Sequence, residues 1–139
     1  HVSVGASFDL LETSSGRVIL TFQDEKERKR RLERRKFYSQ LEATSKISVS
    51  ELKKIEKLFS KNTMKKIEKN RYELVKSLQI KGVTNISVPI FDYTNNAIAA
   101  LTIPFVDRII AKGELSLEQV KKLLVRSAGV LSSEMGYKH

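Results

Sequence analysis

Apolar residues recur with two different periods along this chain, and the change of period predicts where helices give way to strands. Small polar residues, Glu12-Thr13-Ser14-Ser15-Gly16-Arg17, precede the apolar run Val18-Ile19-Leu20 and read as a helix N-terminus. Asp24 is placed to cap a second, highly charged helix over about Glu25 to Tyr38. A third helical stretch begins after Ser50, with Leu52, Ile55 and Phe59 at helical spacing, breaks near Asn62 and resumes through Met64 and Ile67. Tyr72 to Leu78 reads as a strand. Gly82 to Phe91 and Ala97 to Ile103 are β-rich and joined by the turn formers Asp92-Tyr93-Thr94-Asn95-Asn96, which predicts an antiparallel hairpin. A last helix follows from Leu117 to Met135, with a Ser116/Gln119 capping-box pattern and Gly136 at the C′ position. Its expected buried stripe is Leu117, Val120, Leu124, Ala128, Leu131 and Met135.

The hairpin carries the most chemical information. A turn centred on Thr94-Asn95 sets Ser87 opposite Thr102 and Asn85 opposite Pro104, and strand alternation puts all four on one face. The other face collects Ile86, Val88, Ile90, Ala99, Leu101 and Ile103, an apolar surface that helices must cover. Between Val83 and Val106 the only charge is Asp92, in the turn. Two readings of the polar face stay open. It is a solvated sheet face, which is common, or, since solvated faces usually carry Lys, Glu and Arg, it is a wall of a pocket with a few convergent polar groups.

Composition narrows the chemistry. The 139 residues contain no cysteine, and the two histidines are His1 and His139. Thiolate nucleophiles, disulfides and Cys-based zinc sites are excluded, and most histidine acid–base chemistry goes with them. Asp92 and Asp107 lack a paired carboxylate in the sequence pattern, and no triad, metal set or phosphate loop is visible, so an enzyme is not expected. No cofactor is called for. No apolar run reaches the roughly 18 residues of a membrane span, and no basic-then-apolar leader opens the chain, which fits a cytoplasmic protein with no membrane partner. The net charge of +10 is concentrated, with 19 Lys/Arg against 7 Asp/Glu between Lys26 and Lys81. Such a region suits either a solvated helical face or an anionic partner.

Three motifs, in order, resemble the effector-binding domain of IclR-type bacterial transcriptional regulators: the small-residue loop and helix start Leu11–Leu20, the strand Gly82-Val83-Thr84-Asn85-Ile86-Ser87-Val88-Pro89-Ile90-Phe91-Asp92, and the return strand Asn96–Ile103. The terminal Ser-Ser-Glu-Met-Gly matches how the family's last helix ends. The resemblance spans nearly the whole chain and implies an α+β, GAF-like antiparallel sheet covered by helices. It implies that residues 1–139 are a partial effector-binding domain, lacking the domain's first strands and the N-terminal winged helix-turn-helix. It further implies a small-molecule effector, DNA contact only through the absent N-terminal domain, and a homodimer or homotetramer.

Carried over position by position, the ligand-binding set is Ser14, Ser15 and Gly16 in the loop, Asn85, Thr102 and Pro104 on the hairpin with Ser87 beside them, and Val75 on the preceding strand. Free amides at a helix N-terminus suit an anion, although simple helix capping uses the same residues. Relatives often have a second hydroxyl where Pro104 stands, and acidic residues after the "Gly-Tyr" that here reads Arg71-Tyr72. Losing both implies a less polar pocket and a partly apolar or aromatic acid. The rival reading is a basic nucleic-acid-binding module using the Lys26–Lys36 helix, whose cations wrap around the helix rather than line one face.

Overall fold

The computed structural model describes residues 4–5, 8–43, 48–107 and 116–138. Four helices come first: α1 (Ser14–Thr21), α2 (Glu25–Ala43), α3 (Val49–Lys57) and α4 (Lys61–Asn70). Three strands follow, β1 (Glu73–Lys76), β2 (Val83–Phe91) and β3 (Ala97–Val106), and α5 (Leu117–Glu134) closes the chain. The strands form one antiparallel sheet in the order β1-β2-β3. This is the α+β arrangement expected. α2 runs past Tyr38, and α3 starts from a capping box of Ser48 and Glu51 rather than after Ser50. The break between α3 and α4 falls before Ser60, whose hydroxyl accepts from the Thr63 amide, and not near Asn62.

The hairpin register is the one its turn residues require: Ser87 pairs with Thr102 and Asn85 with Pro104, with a single irregularity at Ile90/Phe91 that sets Phe91 opposite Ala97. β1 is shorter than Tyr72–Leu78 and covers only Thr84 to Ser87 of its neighbour. The rest of β2, up to Phe91, is therefore an open edge. Open edges invite another strand, and this one is blunted. Pro89 has no N–H, and the outward Phe91 N–H donates to the Ser132 hydroxyl of α5 at 3.0 Å.

From Ile86 to Phe91 every residue of β2 is buried, so both faces of the sheet are covered. On one face Ile86, Val88, Ile90 and Phe105 pack against Val120, Leu124 and Ala128 of α5. On the other, Phe91 and Ala97 pack with Val18 and Phe22 at α1 and with Ile67 of α4. The α5 stripe departs from expectation at its end. Leu131 and Met135 are exposed, and Ser132 is buried in their place. The sheet twists beneath the helix, so contact follows the four-residue ridge Val120, Leu124, Ala128, Ser132 instead of a three-and-four alternation. Ser132 is held there by its bond to Phe91. Gly136 does occupy the C′ position with φ of 84°, whereas Ser116, at the N-cap, makes no side-chain capping bond.

The Asp24 carboxylate caps α2 by accepting from the Glu27 amide at 2.8 Å, and Asn96 of the hairpin turn donates to it as well. These bonds, the amide first, hold its pKa below the ordinary carboxylate value. Arg28 of α2 donates to the carbonyl oxygens of Leu20, Thr21 and Gln23, at and just beyond the end of α1.

Truncating Leu124 to Ala should lower unfolding free energy by about 2–5 kcal/mol, while Leu131→Ala should stay within about 0.5 kcal/mol. Urea midpoints of the two variants separate the observed stripe from the expected one; equal losses would contradict the packing described.

Candidate functional site

α1 lies across the polar face of the sheet, and its composition explains how. Its sequence is SSGRVILT, so Arg17 is the single charge in an otherwise neutral helix. The Gly16 position is pressed against the preceding loop: a β-carbon there would sit 1.8 Å from the Leu10 carbonyl oxygen. Thr13 is the N-cap, and its hydroxyl accepts from the Gly16 amide at 3.1 Å. Only a residue without a side chain lets the loop close so tightly over the helix start.

Two rows of side chains cross the sheet beneath α1. One is Glu73, Ser87 and Thr102; the next is Val75, Asn85 and Pro104. Ser15 of α1 meets the first row directly. Its hydroxyl lies 2.8 Å from that of Thr102, which lies 2.7 Å from that of Ser87. The three hydroxyls form a chain in which each can donate or accept, leading from the helix N-terminus to fully buried Ser87. Ser14, beside it, is buried, and its hydroxyl oxygen has no hydrogen-bond partner among the described residues. An unpaired buried hydroxyl is uncommon and invites a polar visitor or a water.

The structure thus brings together Ser15, Ser87 and Thr102 in direct contact, with Ser14 adjacent and Gly16 as the close-packed backbone position. Val75, Asn85 and Pro104 share the second row; Pro104 is solvent-exposed and Val75 is half-buried. Val75 lines a cavity of about 410 Å³ between β1, α4 and α1, together with Arg17, Glu73, Leu58, Ile67 and Leu78.

Two residues that the motif-by-motif reading passed over dominate the electrostatics. Arg17 donates from Nε and Nη2 to the Glu73 carboxylate, the shortest bond being 2.7 Å, and from Nη1 to the Leu11 carbonyl at 2.8 Å. Both side chains are nearly sealed from water, at 5% and 11% exposure. An acid therefore does follow Tyr72, in the same row as Ser87 and Thr102, although its charge is met by Arg17. The signal was present in the sequence: a lone charge in a neutral helix bound for the interior requires a partner.

The basic stretch is partly consumed inside the fold. Arg30 and Arg31 both bind Glu27, whose pKa they lower to about 2, Arg30 contributing most. Arg35 binds Asp9, Arg28 binds the α1 carbonyls, and Arg34 lies over the Tyr38 ring. Lys26, Lys29 and Lys36 make no ion pair among the described residues. Asp92 accepts from Thr94 within its own turn, and Asp107 accepts from Thr84 at 2.6 Å. Among the described residues no cluster of three potential metal ligands occurs, and no helix is long and apolar enough to cross a membrane.

Replacing Glu73 with Gln should destabilise by about 3–5 kcal/mol, because it strands a buried guanidinium, whereas Arg17→Met with Glu73→Leu should recover much of that loss. Thermal denaturation of the single and double variants checks it; equal stability of all three would mean the pair is solvated. Gly16→Ala should cost about 1–3 kcal/mol through forced separation of loop and helix, read as a lowered urea midpoint, and an unchanged midpoint would refute the close contact.

Against this geometry, comparison with known proteins gives consistent matches. The profile of the family described as bacterial transcriptional regulator IclR C-terminal matches residues 1–132. Thermotoga maritima IclR is 25% identical, with a TM-score of 0.64 over 99% of this chain and 51% of that one. The Agobacterium tumefaciens repressor BlcR is 21% identical, with a TM-score of 0.60 over 98% of this chain and 51% of that one. The C-terminal domain of the E. coli transcriptional regulator KdgR is 23% identical, with a TM-score of 0.56 over 92% of this chain and 71% of that one. The chain spans about half the length of the first two regulators. Comparison with curated proteins gives no match.

Proposed function

The chain belongs to the IclR family of bacterial transcriptional regulators, matching its C-terminal domain, and we propose that it senses a small organic acid with an apolar or aromatic body. The observation that carries this reading is the hydroxyl chain Ser15–Thr102–Ser87 beneath the N-terminus of α1, on a sheet face without free charges. A carboxylate placed there meets the partial positive end of the helix and the first-turn amides of Ser14 and Ser15, which no helix can satisfy internally. The unpartnered Ser14 hydroxyl supplies one more donor. Asn85 and Pro104 flank the same face, and the cavity at Val75 offers Leu58, Ile67 and Leu78 to an apolar body. Because Arg17 neutralises Glu73, the nearby acid does not repel an anion. The chemistry that these hydroxyls and helix amides offer is that of binding an anion.

In the whole regulator, the effector would alter DNA contact made by an N-terminal domain, within a homodimer or homotetramer in the cytoplasm. It does so only if it binds one quaternary or hinge state better than another; equal affinity shifts nothing.

A thermal-shift screen should find aromatic acids that stabilise the chain by about 2.7 kcal/mol at 100 times their dissociation constant. Ser15→Ala and Thr102→Val should remove the ligand-dependent gain while the unliganded proteins remain folded. Stabilisation by glyoxylate-sized acids alone would overturn the class of effector, and unchanged ligand response in both variants would overturn the site.

A further inference from the structure

At the open edge of β2 beside α5, a second feature is unexplained by the sensor reading. The short β1 leaves the upper half of β2 without a neighbour, and a groove of about 170 Å³ runs there between Val88, Pro89 and Phe91 of the strand and Val125, Ala128 and Gly129 of α5. That is the space of roughly six waters at about 30 Å³ each, enough for a small ring or short branched chain. A backbone strand cannot add along it, because Pro89 has no donor and the Phe91 amide is already bound to Ser132. Nor is it filled from the helix: a β-carbon on Gly129 would touch nothing within 4 Å.

Arg71 stands at its mouth. It caps α4 in the left-handed conformation, with φ of 66°, a backbone position that favours glycine and disfavours a bulky side chain. Its guanidinium carbon lies 4.7 Å from the centroid of the Phe22 ring and 5.3 Å from that of Phe91, two rings set nearly edge to face. The side chain is solvent-exposed, so N–H groups not turned toward the rings remain free to donate. Among the described residues no carboxylate pairs with it. A planar cation with no carboxylate partner among the described residues, set at the mouth of an apolar slot, has the two halves of a recognition site for a small apolar acid: a fork for the carboxylate and a greasy seat for the tail.

We propose that Arg71 and the β2–α5 groove form a second binding site, separate from the hydroxyl chain, that takes a small apolar carboxylate such as a benzoate- or isovalerate-like acid. The site does not depend on the effector reading, since it shares no residue with Ser14, Ser15, Ser87 or Thr102.

The test uses the chain as it is, with benzoate and isovalerate as probes and benzamide as the uncharged control, followed by NMR titration of the Gly129 amide. Both acids should shift that amide, and benzamide should bind at least about tenfold more weakly, the loss expected for one charge-assisted contact. Arg71→Gly and Arg71→Asn, both compatible with a positive φ, should weaken benzoate by the same factor, and Gly129→Leu should abolish binding by filling the slot. Thr102→Val should leave it unchanged. Undiminished binding by both Arg71 variants, equal binding of benzamide, absence of any shift at Gly129, or loss in Thr102→Val with retention in Gly129→Leu would each overturn the proposal.

Discussion

A strand buried on both faces sets the terms for everything packed around it. β2 is buried from Ile86 to Phe91, yet its residues alternate between an apolar set and the set Ser87, Pro89 and Phe91. An apolar face is satisfied by any helix with a matching stripe, and α5 provides one through Val120, Leu124 and Ala128. A face that includes a buried serine needs a partner with hydrogen-bonding groups of its own, because an unmet hydroxyl in the interior costs about 1–3 kcal/mol. α1 meets that demand with Ser15 through Thr102. The polar layer is thus a structural necessity first. In the sensing role proposed above, the same hydroxyls would exchange partners with an incoming oxygen.

Burying α1 raises a second demand, since the helix carries Arg17 into the interior. Bidentate pairing with Glu73 and a bond to the Leu11 carbonyl meet it. Pairs of this kind are weak sources of net stability but strongly penalise the loss of either partner. The pair therefore acts chiefly on specificity: it ties α1, the loop at Leu11 and the edge strand β1 into one arrangement. The close approach of Leu10 to Gly16 fixes the same loop from the other side. Together these contacts hold the helix start in place over the hydroxyl row.

Much of the fold was legible because local patterns and global packing agree. The alternation in the hairpin and its Asp-Tyr-Thr-Asn-Asn turn specify register, so Ser87–Thr102 and Asn85–Pro104 could be paired from residue order alone. Asp24 as a cap and Gly136 as a terminator follow from side-chain chemistry within a few residues. The end of α5 was misjudged because a stripe drawn on an isolated helix ignores the twist of the sheet below it. The Ser116/Gln119 pattern likewise did not become a side-chain cap, since a pattern states only which groups are able to bond.

The amino-acid order by itself determined the elements, the hairpin register and the two-faced character of the sheet, since these depend on neighbours along the chain and on strand alternation. Only the tertiary structure decided that Ser15 reaches Thr102, that Arg17 finds Glu73, and that Arg71 comes to line the groove between β2 and α5. Those are meetings between residues distant in sequence, and they are settled by how helices of particular length and twist come to rest on the sheet.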